Sequence, residues 1–148
     1  MKAKNKQERG KRPVQALKVS GWTLIVLALA HTATDIATLL SEPSPQQNAA
    51  TAAMQQVMIP TSSHSMASFV YGLSFSMALF LAAIGIALLL IARFGAHEPS
   101  LIRAMLWLTT ALCAVGLIIS ILLMPLPPII GLSIAAISAI VGLLSANR

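Results

Sequence analysis

Apolar positions in this chain run in long blocks, and apart from Asp35 the Asp, Glu, Lys and Arg residues fall between the blocks or at their ends. Residues 66 to 92 contain no Asp, Glu, Lys or Arg, and neither do residues 104 to 147. A helix needs roughly 20 mostly apolar residues to cross a bilayer, so the first stretch holds one span and the second holds two. With the apolar run from residue 19, the pattern predicts transmembrane helices at 19–40, 67–92, 101–124 and 127–145. No segment alternates apolar and polar residues as a membrane barrel strand does. Helices are then the fold that satisfies the backbone in lipid.

Punctuation agrees with this division. The eight prolines are at 13, 43, 45, 60, 99, 125, 127 and 128, all outside the helix interiors so drawn. Glu98-Pro99-Ser100 reads as a helix start, with an acid and a proline where the first turn tolerates them. Met124-Pro125-Leu126-Pro127-Pro128 reads as a tight turn, assigned to 125–126, between the last two spans. The loop at 41–66 is rich in Ser, Gln, Ala, Thr and Pro, but its stretch from Ala49 to Met58 suits a short helix lying at the membrane surface.

Charge sets the direction of threading. Of ten Lys and Arg residues, seven lie in the basic tail at 1–18; Arg93 is at the start of the loop at 93–100, Arg103 just beyond it, and Arg148 in the end segment 146–148. The loops at 41–66 and 125–126 carry none. By the rule that positive loops stay inside, both termini are expected in the cytoplasm. The expected fold is an all-α membrane protein, an up-down bundle of four transmembrane helices in a bacterial inner membrane. Trp22 and Trp107 near one boundary, and Phe69 and Tyr71 near the other, fit interfacial belts.

Composition supports the class, since 57% of residues are hydrophobic and 9% charged, far below the quarter or so of soluble chains. The net charge of +6 does not point to nucleic acid, because the basic tail lacks aromatic residues to stack on bases. It suits lipid headgroups. A competing reading takes the basic start, the first apolar run and Ala28-Leu29-Ala30 as a cleaved signal peptide. The apolar pattern continues through Ile36, Leu39 and Leu40, a length that a signal sequence does not need.

Polar chemistry inside the membrane is confined to the first span. His31, Thr34, Asp35, Thr38 and Ser41 are spaced to share one helical face, which Leu24, Leu27 and Ala28 continue. If the span centres near residue 30, Asp35 lies about 8 Å from the midplane. An Asp at the centre of a span costs roughly 2.5–3.5 kcal/mol to insert, and the Leu, Ile and Val residues here return about 3–5 kcal/mol. The helix is marginal against lipid alone. Its polar face should turn inward, with His31 and Asp35, one turn apart, satisfying each other. Such a pair fixes how the helix docks, relays a proton, binds a small polar ligand or contributes two metal ligands, and His64 is placed to approach Asp35 from the outer loop.

The other spans offer stripes of small residues for close helix packing: Gly72 and Ser76; Ser74, Ala78 and Ala82; Thr109, Cys113, Gly116 and Ser120; and Gly131, Ala135, Ser138 and Gly142. Cys113 reads as a packing residue. No nucleophile elbow, phosphate loop, dinucleotide fingerprint or zinc-protease motif is present, so no catalytic residue, metal site or cofactor is expected.

Leu27-Ala28-Leu29-Ala30-His31-Thr32, a short outer loop with Met54 and Met58, and Phe69-Val70-Tyr71-Gly72-Leu73-Ser74-Phe75 resemble a family of uncharacterised bacterial four-span proteins, whose first helix carries Gly-His-Thr. Here Ala30 replaces that glycine, and Asp35 lies outside the pattern. The resemblance implies the four-span fold and no activity. The leading functional expectation is a non-enzymatic accessory or assembly subunit, whose partners are the lipid bilayer and another membrane protein or a second copy. The alternatives are a small transporter or proton-coupled ligand binder using the His31/Asp35 face, and a small membrane enzyme acting on a lipid-like substrate.

Overall fold

The computed structural model describes residues 2–60, 62–123 and 126–146, with side chains from Lys11 onward, that of Leu123 excepted. Among the described residues the chain is all α-helical apart from turns and one isolated bridge between Met58 and Ser65. The helices are α1 (Lys2–Leu40), α2 (Pro45–Gln56), α3 (Met66–Phe94), α4 (Pro99–Leu123) and α5 (Leu126–Ala146). Four of them contain stretches long and apolar enough to cross a membrane: Lys11–Leu40, Met66–Phe94, Pro99–Leu122 and Leu126–Ala146.

Apart from the start of α1, the span ends lie within two residues of those expected, and three regions depart in kind. The basic tail is no separate tail, because α1 begins at Lys2. Lys, Arg, Gln and Glu are good helix formers, and the stretch from Lys2 to Lys18 has one β-branched residue, Val14, to oppose them. Pro13 consequently lies inside a helix. Its ring is buried and opens the stripe Pro13, Ala16, Leu17, Ser20 and Leu24 along one face of α1, so it contributes packing where it removes a backbone donor. At the other end of the chain, Leu126, Pro127 and Pro128 form the first turn of α5, where proline is tolerated. Met124 and Pro125, the rest of the expected turn, lie outside the described residues, as does Arg148.

The loop helix is also longer than expected, starting at Pro45 and not at Ala49. Its start is a capping box: the Ser44 hydroxyl accepts from the Gln47 backbone N–H at 3.2 Å, and the Gln47 side-chain oxygen accepts from the Ser44 N–H at 2.8 Å. Pro45 takes the first helical position.

Two compact units divide the chain. The first joins the residues up to Leu27 to those from Leu81 onward. Its core is Leu17 and Leu24 of α1, Leu88 and Ala92 of α3, Ile102, Leu106 and Cys113 of α4, and Leu132, Ala135, Ala139 and Leu143 of α5. Contacts fix the helix directions within it. Ala16 meets Gly142, Ser20 meets Ala135 and Leu27 meets Gly131, so α1 and α5 are antiparallel. Leu106 meets Gly142 and Gly116 meets Leu132, so α4 and α5 are antiparallel as well. Gly21 lies against Gly85 and Leu89, and Ile25 against Gly85, which makes α1 and α3 antiparallel. The four helices therefore alternate up and down. Lys11, Arg12, Lys18, Arg93 and Arg103 all lie toward one end of this unit.

Small residues set how closely these helices approach. A Cβ on Gly85 would fall 2.7 Å from the Gly21 carbonyl oxygen, and one on Gly142 would fall 2.7 Å from the Ala16 Cβ. Two serines tie α1 to α5: the Ser20 hydroxyl donates to the Ala135 carbonyl, and the Ser138 hydroxyl donates to the Ala16 carbonyl, each at 3.0 Å. At the basic end Arg103 donates to the carbonyl of Ala146 at 3.2 Å, covering a C-terminal carbonyl of α5 that has no helical donor.

The second unit, Ala28–Phe80, holds the last turns of α1, all of α2 and the first half of α3. It contains every polar group that the sequence singled out in the first span.

Candidate functional site

The last three turns of α1 carry three hydroxyl residues and Ser41 follows them directly, and each of the four satisfies itself locally. Thr32, Thr34, Thr38 and Ser41 donate to the carbonyls of Ala28, Ala30, Thr34 and Ala37, four residues back, at 3.0, 2.9, 2.9 and 2.6 Å. Their protons are thereby hidden from lipid without any other helix.

His31 and Asp35 cannot be satisfied in that way. Both lie on one face, half-buried, with side-chain exposures of 28% and 19%. Their nearest approach, Nε2 to Oδ2, is 3.7 Å, too long for a hydrogen bond. Ser74 of α3 fills the gap. Its hydroxyl donates to Asp35 Oδ2 at 2.8 Å and lies 3.1 Å from His31 Nε2. With the serine proton given to the carboxylate, the serine oxygen accepts from the imidazole N–H. The expected direct pair is therefore a bridged trio joining two helices.

Position along the helices explains why Ser74 serves. His31 and Asp35 precede the α1 end at Leu40 by nine and five residues, and Ser74 follows the α3 start at Met66 by eight, so they are level in antiparallel helices. The sequence reading placed Ser74 in a small-residue packing stripe with Ala78 and Ala82. The overlooked signal was a hydroxyl at the same depth as the acid.

Thr34 and Thr38 do not join this trio. They line a separate groove of about 750 Å³ with the helix α2 and Tyr71. His64, expected to approach Asp35, lines a different groove of about 640 Å³ with Ile59, Ser68, Phe69 and Gly72. A Cβ on Gly72 would meet nothing within 4 Å, so this glycine borders open space and not a helix contact.

Chemically, the trio differs from a nucleophilic triad. There the histidine takes the serine proton and the acid holds the far ring nitrogen. Here the acid receives the serine proton directly, which does not activate the oxygen. Among the described residues no three His, Cys, Asp or Glu side chains gather closely enough to hold a metal ion. Every buried side-chain nitrogen and oxygen among the described residues has a partner.

Fold and site together define a multi-pass helical membrane protein in which a serine bridges an acid and a histidine between two of its spans. Comparison of the chain with family models, with curated proteins and with solved structures finds no match.

Proposed function

We propose that the protein is a non-enzymatic accessory or assembly subunit of a bacterial inner membrane, with both ends in the cytoplasm, in which the His31–Ser74–Asp35 bridge locks α1 against α3. The observation that carries this reading is the single Ser74 hydroxyl, which satisfies the one acid and the one histidine of the first span at 2.8 and 3.1 Å. A closed bridge of this kind specifies helix docking. The orientation rests on the Lys and Arg residues, since the first half of α1, the facing ends of α3 and α4 and the chain end carry all ten. In the membrane, His31→Ala and Asp35→Ala should lower accumulation, or retention of a co-purifying partner, together. Normal accumulation of both variants with every partner retained contradicts the reading.

The partial exposure of His31 and Asp35 supports a second reading, proton-coupled binding or transport through the same groups. In reconstituted vesicles it requires a proton or solute flux that Asp35→Asn abolishes. A lipid-directed enzyme is the least supported reading, because the serine proton points to the acid and not to the histidine.

A further inference from the structure

The groove between α1, α2 and Tyr71 has two walls that differ in their hydrogen-bonding groups. One wall is the end of α1, where Thr34, Thr38 and Ser41 have already given their protons to helix carbonyls and present oxygens that can only accept. The other wall can donate, although Asn48 there gives an amide N–H to the Pro43 carbonyl at 3.4 Å and adds an acceptor oxygen. The hydroxyls of Thr51 and Tyr71 make no hydrogen bond to any described residue, and Gln47 has its oxygen engaged by the Ser44 N–H, which leaves its amide N–H groups. Ala33, Ala37, Leu39 and Met54 supply apolar lining, and Ala33 to Leu39 extends about 9 Å along the end of a membrane-spanning stretch.

No charged side chain lines the groove, and Glu42 stands between its lining residues Ser41 and Pro43. From Ser41 to Met66 the chain has no Lys or Arg. Anionic headgroups therefore lack a counter-charge there and meet a carboxylate nearby. A group that donates to one wall and accepts from the other, while remaining neutral, fits the lining. Adjacent hydroxyls do this, because each is both donor and acceptor.

We infer that this groove binds a lipid with an uncharged polyol headgroup, its hydroxyls between the α1 acceptors and the Thr51, Tyr71 and Gln47 donors, and its acyl chain along Ala33, Ala37 and Leu39. The inference does not rest on the subunit reading, since Ser74, His31 and Asp35 are outside the groove lining.

The test uses the full chain in phosphatidylcholine nanodiscs and two photoactivatable probes with the same diazirine-bearing acyl chain, one a monoacylglycerol and the other a fatty acid. Cross-linked peptides are mapped by mass spectrometry. The monoacylglycerol probe should label residues 33–54 saturably, and unlabelled monoacylglycerol should compete. The fatty acid probe should label them no more than the bulk apolar surfaces of α3 to α5. Thr51→Val with Tyr71→Phe removes two donors and should weaken half-saturation about tenfold, while His31→Ala should leave it unchanged. Equal labelling by the two probes, or labelling of 33–54 that does not saturate, overturns the inference using the unaltered protein alone. Competition by free glycerol as strong as by monoacylglycerol overturns the lipid assignment.

Discussion

Removing one oxygen tests the bridge. Ser74→Ala leaves His31 Nε2 and Asp35 Oδ2 facing each other at 3.7 Å with no hydrogen bond to share, and takes from Asp35 its 2.8 Å donor. Hydrogen bonds between membrane helices average about 0.6 kcal/mol and reach about 1.7, and those to a charged group in soluble proteins about 1.5–3. Two contacts are lost, but both partners keep access to surroundings, with exposures of 28% and 19%. The expected loss is about 1–2 kcal/mol, which is a five- to thirty-fold fall in the folded-to-unfolded ratio. Reversible unfolding by sodium dodecyl sulfate in mixed micelles measures it. Asp35→Ala completes a double-mutant cycle, in which the coupling to Ser74 should be about 1 kcal/mol. Ser74→Thr keeps the hydroxyl and should recover most of the loss. A coupling near zero, with each single change still destabilising, would mean that Ser74 and Asp35 matter separately, and the bridge as a unit would be refuted.

Glycine positions give a sharp contrast. Gly85→Ala drives a methyl to 2.7 Å from the Gly21 carbonyl oxygen, which cannot swing away, and should destabilise by about 1–3 kcal/mol in the same unfolding assay. Gly72→Ala meets nothing within 4 Å and should be neutral, or stabilising by up to about 1 kcal/mol from helix propensity. Ser20→Ala and Ser138→Ala each delete a hydroxyl that donates across α1 and α5. The carbonyls left behind keep their own helical donors, so each loss should be only about 0.5–1 kcal/mol, and a loss above about 3 kcal/mol would show that the serines do more than tie the helices.

The four spans were legible because lipid imposes a length and a hydrophobicity that residues 66 to 92 and 104 to 147 meet without a single charge. Helix ends were less legible. The start of α1 was hidden because a basic stretch of good helix formers reads as a tail by charge and as a helix by propensity, and Pro13 seemed to decide for the tail. Its buried ring shows that packing outweighed the lost donor. The start of α2 was legible in principle, in Ser44-Pro45 followed by Gln47, a capping signature that the alanine-rich stretch after it overshadowed. Within the site, His31 and Asp35 stood out as the ionisable groups of their span. Ser74 did not, because a serine among Ala, Gly and Leu reads equally as a small packing residue. Only the register between antiparallel helices identifies it, and that register rests on contacts such as the one between Ser74 and Asp35, which no local pattern records.

The proposed threading puts the loop holding α2 and the turn between α3 and α4 on opposite sides of the membrane, which the accessibility of single cysteines reports. Cys113→Ala gives a background without cysteine, because Cys113 is the one cysteine of the chain. Into it go Gln55→Cys, on the exposed surface of α2, or His97→Cys, exposed in the turn between α3 and α4. A membrane-impermeant maleimide applied to intact bacterial cells with a permeable outer layer should label Gln55→Cys at once and His97→Cys only after the inner membrane is opened. Labelling of His97→Cys in intact cells, or of both positions alike, would mean that the chain is threaded otherwise.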